Sequence, residues 1–96
     1  MPRHTLVAIV QDRPGVLHRA VSLLRRRGFN ITSLVVGPSE TPGVRRMTVV
    51  VEAESSAQVV QQLDRLVDVL SVHDVTTPQG NYRDQADGAS GDEEAA

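Results

Sequence analysis

The spacing of apolar residues changes along this chain in a definite order, and that order constrains the fold more than any single motif. Thr5 to Val10 is a short, nearly continuous apolar run rich in β-branched residues, which predicts a strand. Val16, Leu17, Ala20, Val21 and Leu24 then recur at helical spacing. Pro14 fits the first turn of that helix and Gly28 the position just past its end. Arg25, Arg26 and Arg27 fall in the last turn, where cations meet the negative end of the macrodipole. Asn30 to Val36 reads as a second strand, Gly37-Pro38 and Pro42-Gly43 bracket a loop, and Arg46 to Glu52 reads as a third strand. Ser55 or Ser56 can cap a second helix with apolar positions Val59, Val60, Leu63, Leu66 and Val67. Leu70 to Val75 supplies a fourth strand. The order β-α-β-β-α-β predicts an α+β, ferredoxin-like fold: a four-stranded antiparallel sheet with two helices on one face.

The chain has 96 residues, enough for one small domain, expected over residues 1–78. Phe29 and Tyr82 are its only aromatics, so the core must be aliphatic. Residues 79–96 are polar and acidic without periodic apolar positions, which predicts a disordered acidic tail. Charge divides accordingly. Residues 1–78 hold nine Arg against seven acids, and the tail holds one Arg against five. A folded part so close to neutral has no broad electrostatic footprint for nucleic acid, and its strands lack the aromatics that base stacking needs. The absence of Cys excludes disulfides, thiolate nucleophiles and Cys-based zinc sites. The first apolar stretch ends at Gln11, too short for a membrane span, so a cytoplasmic protein is expected.

One pattern bears on partners. In the first strand both alternating sets are apolar, Thr5, Val7 and Ile9 against Leu6, Ala8 and Val10. The third strand behaves likewise, with Met47, Val49 and Val51 against Thr48 and Val50. Two helices cover only one face of such a sheet. The other face is either ordinary exposed apolar surface or, with an edge, a meeting place for another chain.

The chemistry concentrates in Gln11-Asp12-Arg13-Pro14-Gly15-Val16-Leu17. A helix start offers unpaired N–H groups and a positive dipole end, which suit a carboxylate. Gly15 lets a ligand approach the backbone. Asp12 either caps the helix or meets an ammonium group. Asn30 either bonds local backbone or presents its amide to a ligand. His4, His18 and His73 have no second ligand at metal-like spacing, so no metal site is expected. Asp64 and Asp68 are one turn apart and read as a solvated face of the second helix. No nucleophile with a positioned base and no phosphate loop appears, which argues against an enzyme. A hydrolase of acylphosphatase type would need a converging Arg and Asn; Arg13 and Asn30 have the right types, but the context does not otherwise match.

Arg13-Pro14-Gly15-Val16-Leu17 after a strand resembles the start of an ACT domain, an amino-acid-sensing βαββαβ module. The segment Arg26-Arg27-Gly28-Phe29-Asn30-Ile31-Thr32-Ser33-Leu34 is more specific. With Val36-Gly37-Pro38, Arg46-Met47-Thr48-Val49-Val50 and Leu66-Val67-Asp68-Val69-Leu70, it resembles the small regulatory subunit of acetolactate (acetohydroxyacid) synthase, in its short single-ACT form. The resemblance implies a non-catalytic chain that activates the large catalytic subunit and mediates feedback inhibition by valine or another branched-chain amino acid. It implies a homodimer paired through its sheet, with effector sites at the interface. Thiamine diphosphate, magnesium and FAD are then expected only in the catalytic partner. The implied effector-binding positions are Asp12, Arg13, Pro14, Gly15, Val16, Leu17, Asn30, Ile31 and Val35. Some relatives carry Asn at the position of Asp12, whose carboxylate would repel a misplaced effector carboxylate. The alternative is a stand-alone ACT-type amino-acid-binding module that regulates a different enzyme.

Overall fold

The computed structural model describes residues 1–76. The boundary expected at residue 78 and the tail expected over 79–96 lie outside the described residues. The element order is β1 (Arg3–Gln11), α1 (Val16–Arg26), β2 (Asn30–Pro38), β3 (Val44–Glu52), α2 (Ser56–Asp64) and β4 (Val69–Asp74). The strands form one antiparallel sheet in the order β2-β3-β1-β4. The two longest central pairings, β1 with β3 and β2 with β3, leave β2 and β4 as edges. This is the fold expected from the sequence.

Pleating divides the two apolar sets of β1 and β3 between opposite faces. Leu6, Ala8 and Val10 share the buried face with Met47, Val49 and Val51, and all six are essentially inaccessible. Val16, Ala20 and Leu24 of α1 and Val59 and Leu63 of α2 close over them. Each buried Val, Leu or Met side chain among them stabilises the fold by about 1.5–3 kcal/mol on leaving water, which is how a core without buried aromatics holds together. The opposite sheet face carries Val7, Ile9, Val35, Thr48 and Val50, with no described element covering it.

Helix α1 ends where Gly28 leads one to expect. Gly28 has φ 86°, its N–H donates to the Arg25 carbonyl, and the Phe29 N–H donates to the Leu24 carbonyl. These two bonds make a Schellman cap, with the Phe29 ring packed against the core. The start differs from expectation. Val16 is the first helical residue, Gly15 is the N-cap in a left-handed conformation, and Pro14 precedes the helix instead of opening it.

Helix α2 is shorter than its apolar spacing suggests. It is capped by Ser55 and ends at Asp64, so Leu66 and Val67 lie outside it. The chain leaves through tight bonds from Arg65, Leu66 and Val69 N–H groups to carbonyls three residues back. That tighter winding rotates Val67 out to 90% exposure and turns Asp68 inward to 6%. Asp68 is therefore neither helical nor solvated, contrary to the sequence reading, because two arginines and a backbone N–H draw it into the fold.

Candidate functional site

The segment between β1 and α1 forms one wall of an open cleft of about 420 Å³. Asp12, Arg13, Pro14, Gly15, Val16 and Leu17 all line it, together with Val10, Gln11, His18 and Arg45. Six of the nine expected site residues are thus brought together. Arg45 was not anticipated. It stands on β3 opposite Val10, on the helix-bearing face, and its Nη1 lies 3.9 Å from Asp12 Oδ1. Two residues per pleat put it there, but only the β1–β3 register connects it to the loop.

The loop is held at both sides. The Gln11 N–H donates to the Asp68 carbonyl at 2.8 Å, and the Asp12 N–H donates to the Gly43 carbonyl at 3.0 Å. The Asp68 carboxylate accepts from Arg19 Nη2 at 2.6 Å and lies 3.5 Å from Arg13 Nη1. Its side chain is 9% exposed, so its charge is stabilised by these guanidinium groups in place of water. Sequence reading missed this role because Asp68 is 49 residues from Arg19. A lone Asp beside a helical apolar pattern gives no signal of such a partner.

The start of α1 itself is left open. No side chain caps it, and Asp12 points instead toward Arg45. The Val16 N–H reaches the Arg13 carbonyl at 3.3 Å and the Arg19 N–H reaches the Gly15 carbonyl at 2.9 Å. Among the described residues, the Leu17 and His18 N–H groups have no backbone or capping acceptor. Gly15 suits this bend for a reason visible in its geometry. Its φ is 85°, and a Cβ there would come within 2.8 Å of Arg19 Nη1.

The other three expected residues lie elsewhere in the same chain. Asn30 pairs with Glu52 at one end of the sheet, whereas Gln11 pairs with Val44 at the other. Eight residues of strand separate the two ends, roughly 26 Å. Asn30 Nδ2 donates to Glu52 Oε1 at 2.8 Å, and Arg3 Nε lies 3.7 Å from Glu52 Oε2. The Asn30 amide, with the Arg3 charge assisting, holds the Glu52 carboxyl below its ordinary value of 4.5. Ile31 packs against the core on the helix-bearing face, and Val35 lies on the open face at mid-strand, 39% exposed. Within one chain none of these three residues lines the cleft. Among the described residues no group of His, Cys, Asp and Glu could hold a metal ion, and no helix is long and apolar enough to cross a membrane.

Comparison with known proteins follows the same lines. The family model of the AHAS small subunit-like ACT domain matches residues 6–71. The probable acetolactate synthase small subunit of Archaeoglobus fulgidus is 45% identical over 76 residues, covering 77% of this chain and 48% of that protein. The acetolactate synthase small subunit of Mycolicibacterium smegmatis is 49% identical over 73 residues, covering 74% of this chain and 43% of that protein. The crystal structure of the Thermotoga maritima acetolactate synthase small subunit superposes with a TM-score of 0.75 at 35% identity, over 82% of this chain and 51% of that one. This chain spans about half the length of the curated relatives it matches. The ACT domain of a GTP pyrophosphokinase from Chlorobium tepidum shares the fold at 12% identity and a TM-score of 0.64. The matched span holds the Asp12–Leu17 loop, the Gly28-Phe29-Asn30 turn and the Asp68 clamp together, and the chain belongs to the family of acetolactate synthase small subunits through this ACT domain.

Proposed function

We propose that this chain is a non-catalytic regulatory subunit that binds a branched-chain amino acid between two copies of itself. In this reading it activates the large subunit of acetolactate synthase and relays feedback inhibition to it. Thiamine diphosphate, magnesium and FAD belong to that catalytic partner, and the regulatory chain contributes none of them. The relatives' own description as small subunits supports the existence of a larger partner.

The observation that carries the reading is the position of the cleft and of the Asn30-Ile31 end relative to the β2 edge. This strand is an edge of nine residues, exposed for most of its length, with Leu34 37% and Val35 39% exposed at its centre. A long apolar edge is normally paired or covered. If two β2 strands pair antiparallel about a two-fold axis near Leu34, position 30 of one copy falls opposite position 38 of the other. Pro38 pairs with Arg45, and Arg45 with Val10, next to the loop. The Asn30-Ile31 end of the second copy then arrives at the cleft end of the first, three strand spacings from β1, or roughly 14 Å. The same operation buries Leu34 and Val35 at the axis and leaves both pairs of helices on one face. The cleft supplies aliphatic walls in Val10, Val16 and Leu17, which fit a branched side chain.

Calorimetric titration with valine, leucine and isoleucine, combined with sedimentation equilibrium, tests this. The expected result is a dimer that binds at least one of the three, with affinity reduced in Asn30→Ala. A monomer that binds none of them would refute the reading.

A further inference from the structure

We propose that Arg45 is the residue that receives the effector's carboxylate, working with Asp12 to select a zwitterion. The inference rests on the effector site proposed above and adds to it a residue that neither the motif nor the family resemblance contains.

Three observations place Arg45 in this role. It projects from β3 into the cleft, between the loop and the β2 edge at which a second copy would dock. Its only salt-bridge partner among the described residues is Asp12, at the loose distance of 3.9 Å, with side chains 43% and 58% exposed. Arg13 and Arg19, the other guanidinium groups near the loop, are engaged by Asp68. A half-exposed pair at that distance holds itself together weakly and is readily exchanged for better partners.

A free α-amino acid is such a partner. It presents an ammonium and a carboxylate on the same α-carbon, so it converts one loose ion pair into two close ones. The planar guanidinium of Arg45 can grip the carboxylate with two parallel N–H donors. Leu17 and His18, whose N–H groups at the helix start have no backbone acceptor, line the same space. Asp12 accepts from the ammonium. Arg45 also removes the difficulty that a carboxylate at position 12 creates, because its positive charge offsets the repulsion between Asp12 and the effector's own carboxylate. A ligand lacking either charge loses half of this arrangement: a 2-oxo acid has nothing for Asp12, and an amino-acid amide has no charge for Arg45.

The test is calorimetry on the full chain with L-valine, L-valinamide and 3-methyl-2-oxobutanoate, using the wild type, Arg45→Gln and Arg45→Lys. Arg45→Gln should weaken valine binding by about tenfold or more, as expected for losing a charge-assisted pair. Arg45→Lys should recover part of that loss, and melting temperatures should stay unchanged in both. In the wild type, valinamide and the oxo acid should each bind at least about tenfold more weakly than valine. Wild-type-like valine affinity in Arg45→Gln, or valinamide binding as tightly as valine, would overturn the role of Arg45 while leaving the effector site in place. A wild type that gives no heat with valine, leucine or isoleucine overturns the site itself, and Arg45's role with it.

Discussion

At the start of α2 the hydroxyl of Ser55 accepts a hydrogen bond from the Ala57 N–H at 3.1 Å, while at the start of α1 no side chain plays that part. Both helices pack on the same sheet face and bury aliphatic side chains in the same core. They differ in how their first turns are satisfied. Ser55 closes its helix in the ordinary way, with extended backbone and a short polar side chain turned back. Gly15 brings no side chain at all, and the nearby carboxylate, Asp12, is directed to Arg45. Stability that a cap would have provided is supplied from outside, by Asp68 and its two arginines and by the backbone bonds at Gln11 and Asp12. A helix start kept free of its own cap and braced from a distance is a place where a ligand can substitute for the missing acceptor.

The strongest way to break this contrast is to remove the brace. Asp68→Ala leaves two guanidinium groups without their shared anion and should cost about 2 kcal/mol of stability, read from urea unfolding. It should also weaken the valine binding proposed above, since the loop loses its side-chain hold on the turn after α2. Asp68→Asn, which keeps an acceptor for Arg19 but not the charge, should lose about half as much. A variant as stable as the wild type would show that Asp68 is a passenger.

Ser55→Ala probes the other helix start and sharpens the comparison. Loss of that cap should cost about 1 kcal/mol in the same unfolding experiment. Effector affinity should not change, because Ser55 is not among the residues lining the cleft. A parallel loss of affinity would mean that the two starts are not functionally distinct.

The smallest effect belongs to the far end of the sheet. Glu52 titrates below 4.5 in the folded chain, chiefly because the Asn30 amide donates to its ionised form. A carboxyl whose folded value is depressed binds fewer protons folded than unfolded, so stability rises with pH through that interval. Its contribution is therefore complete above 4.5 and is lost as pH falls through the lower folded value. Urea midpoints followed from about pH 6 to about pH 3 should show a small acid slope that Glu52→Gln removes. An identical slope in the variant would separate Glu52 from Asn30.

The architecture was legible because it depends on local periodicity. Runs of β-branched residues, two stretches at helical spacing and the Gly28 signal identify every element, and the end of α1 falls where Gly28 places it. The loop was legible too, since Pro14 and Gly15 between a strand and a helix can do little else than bend. The second helix was overextended for a physical reason. Leu66 and Val67 continue the apolar spacing, but spacing does not register the tighter turn that swings Val67 outward and Asp68 inward.

What the residues determined alone is thus the order of elements, the aliphatic character of the core and the glycine-marked end of α1. What only tertiary structure decided is which distant groups meet there. Arg45 reaches Asp12 through the β1–β3 register, and Arg13 and Arg19 reach Asp68 through the turn after α2. The same register places Asn30 at the opposite end of the sheet from the cleft. Periodicity reports the environment of a residue along its own element, whereas a site is made by contacts between elements, and strand register fixes those contacts.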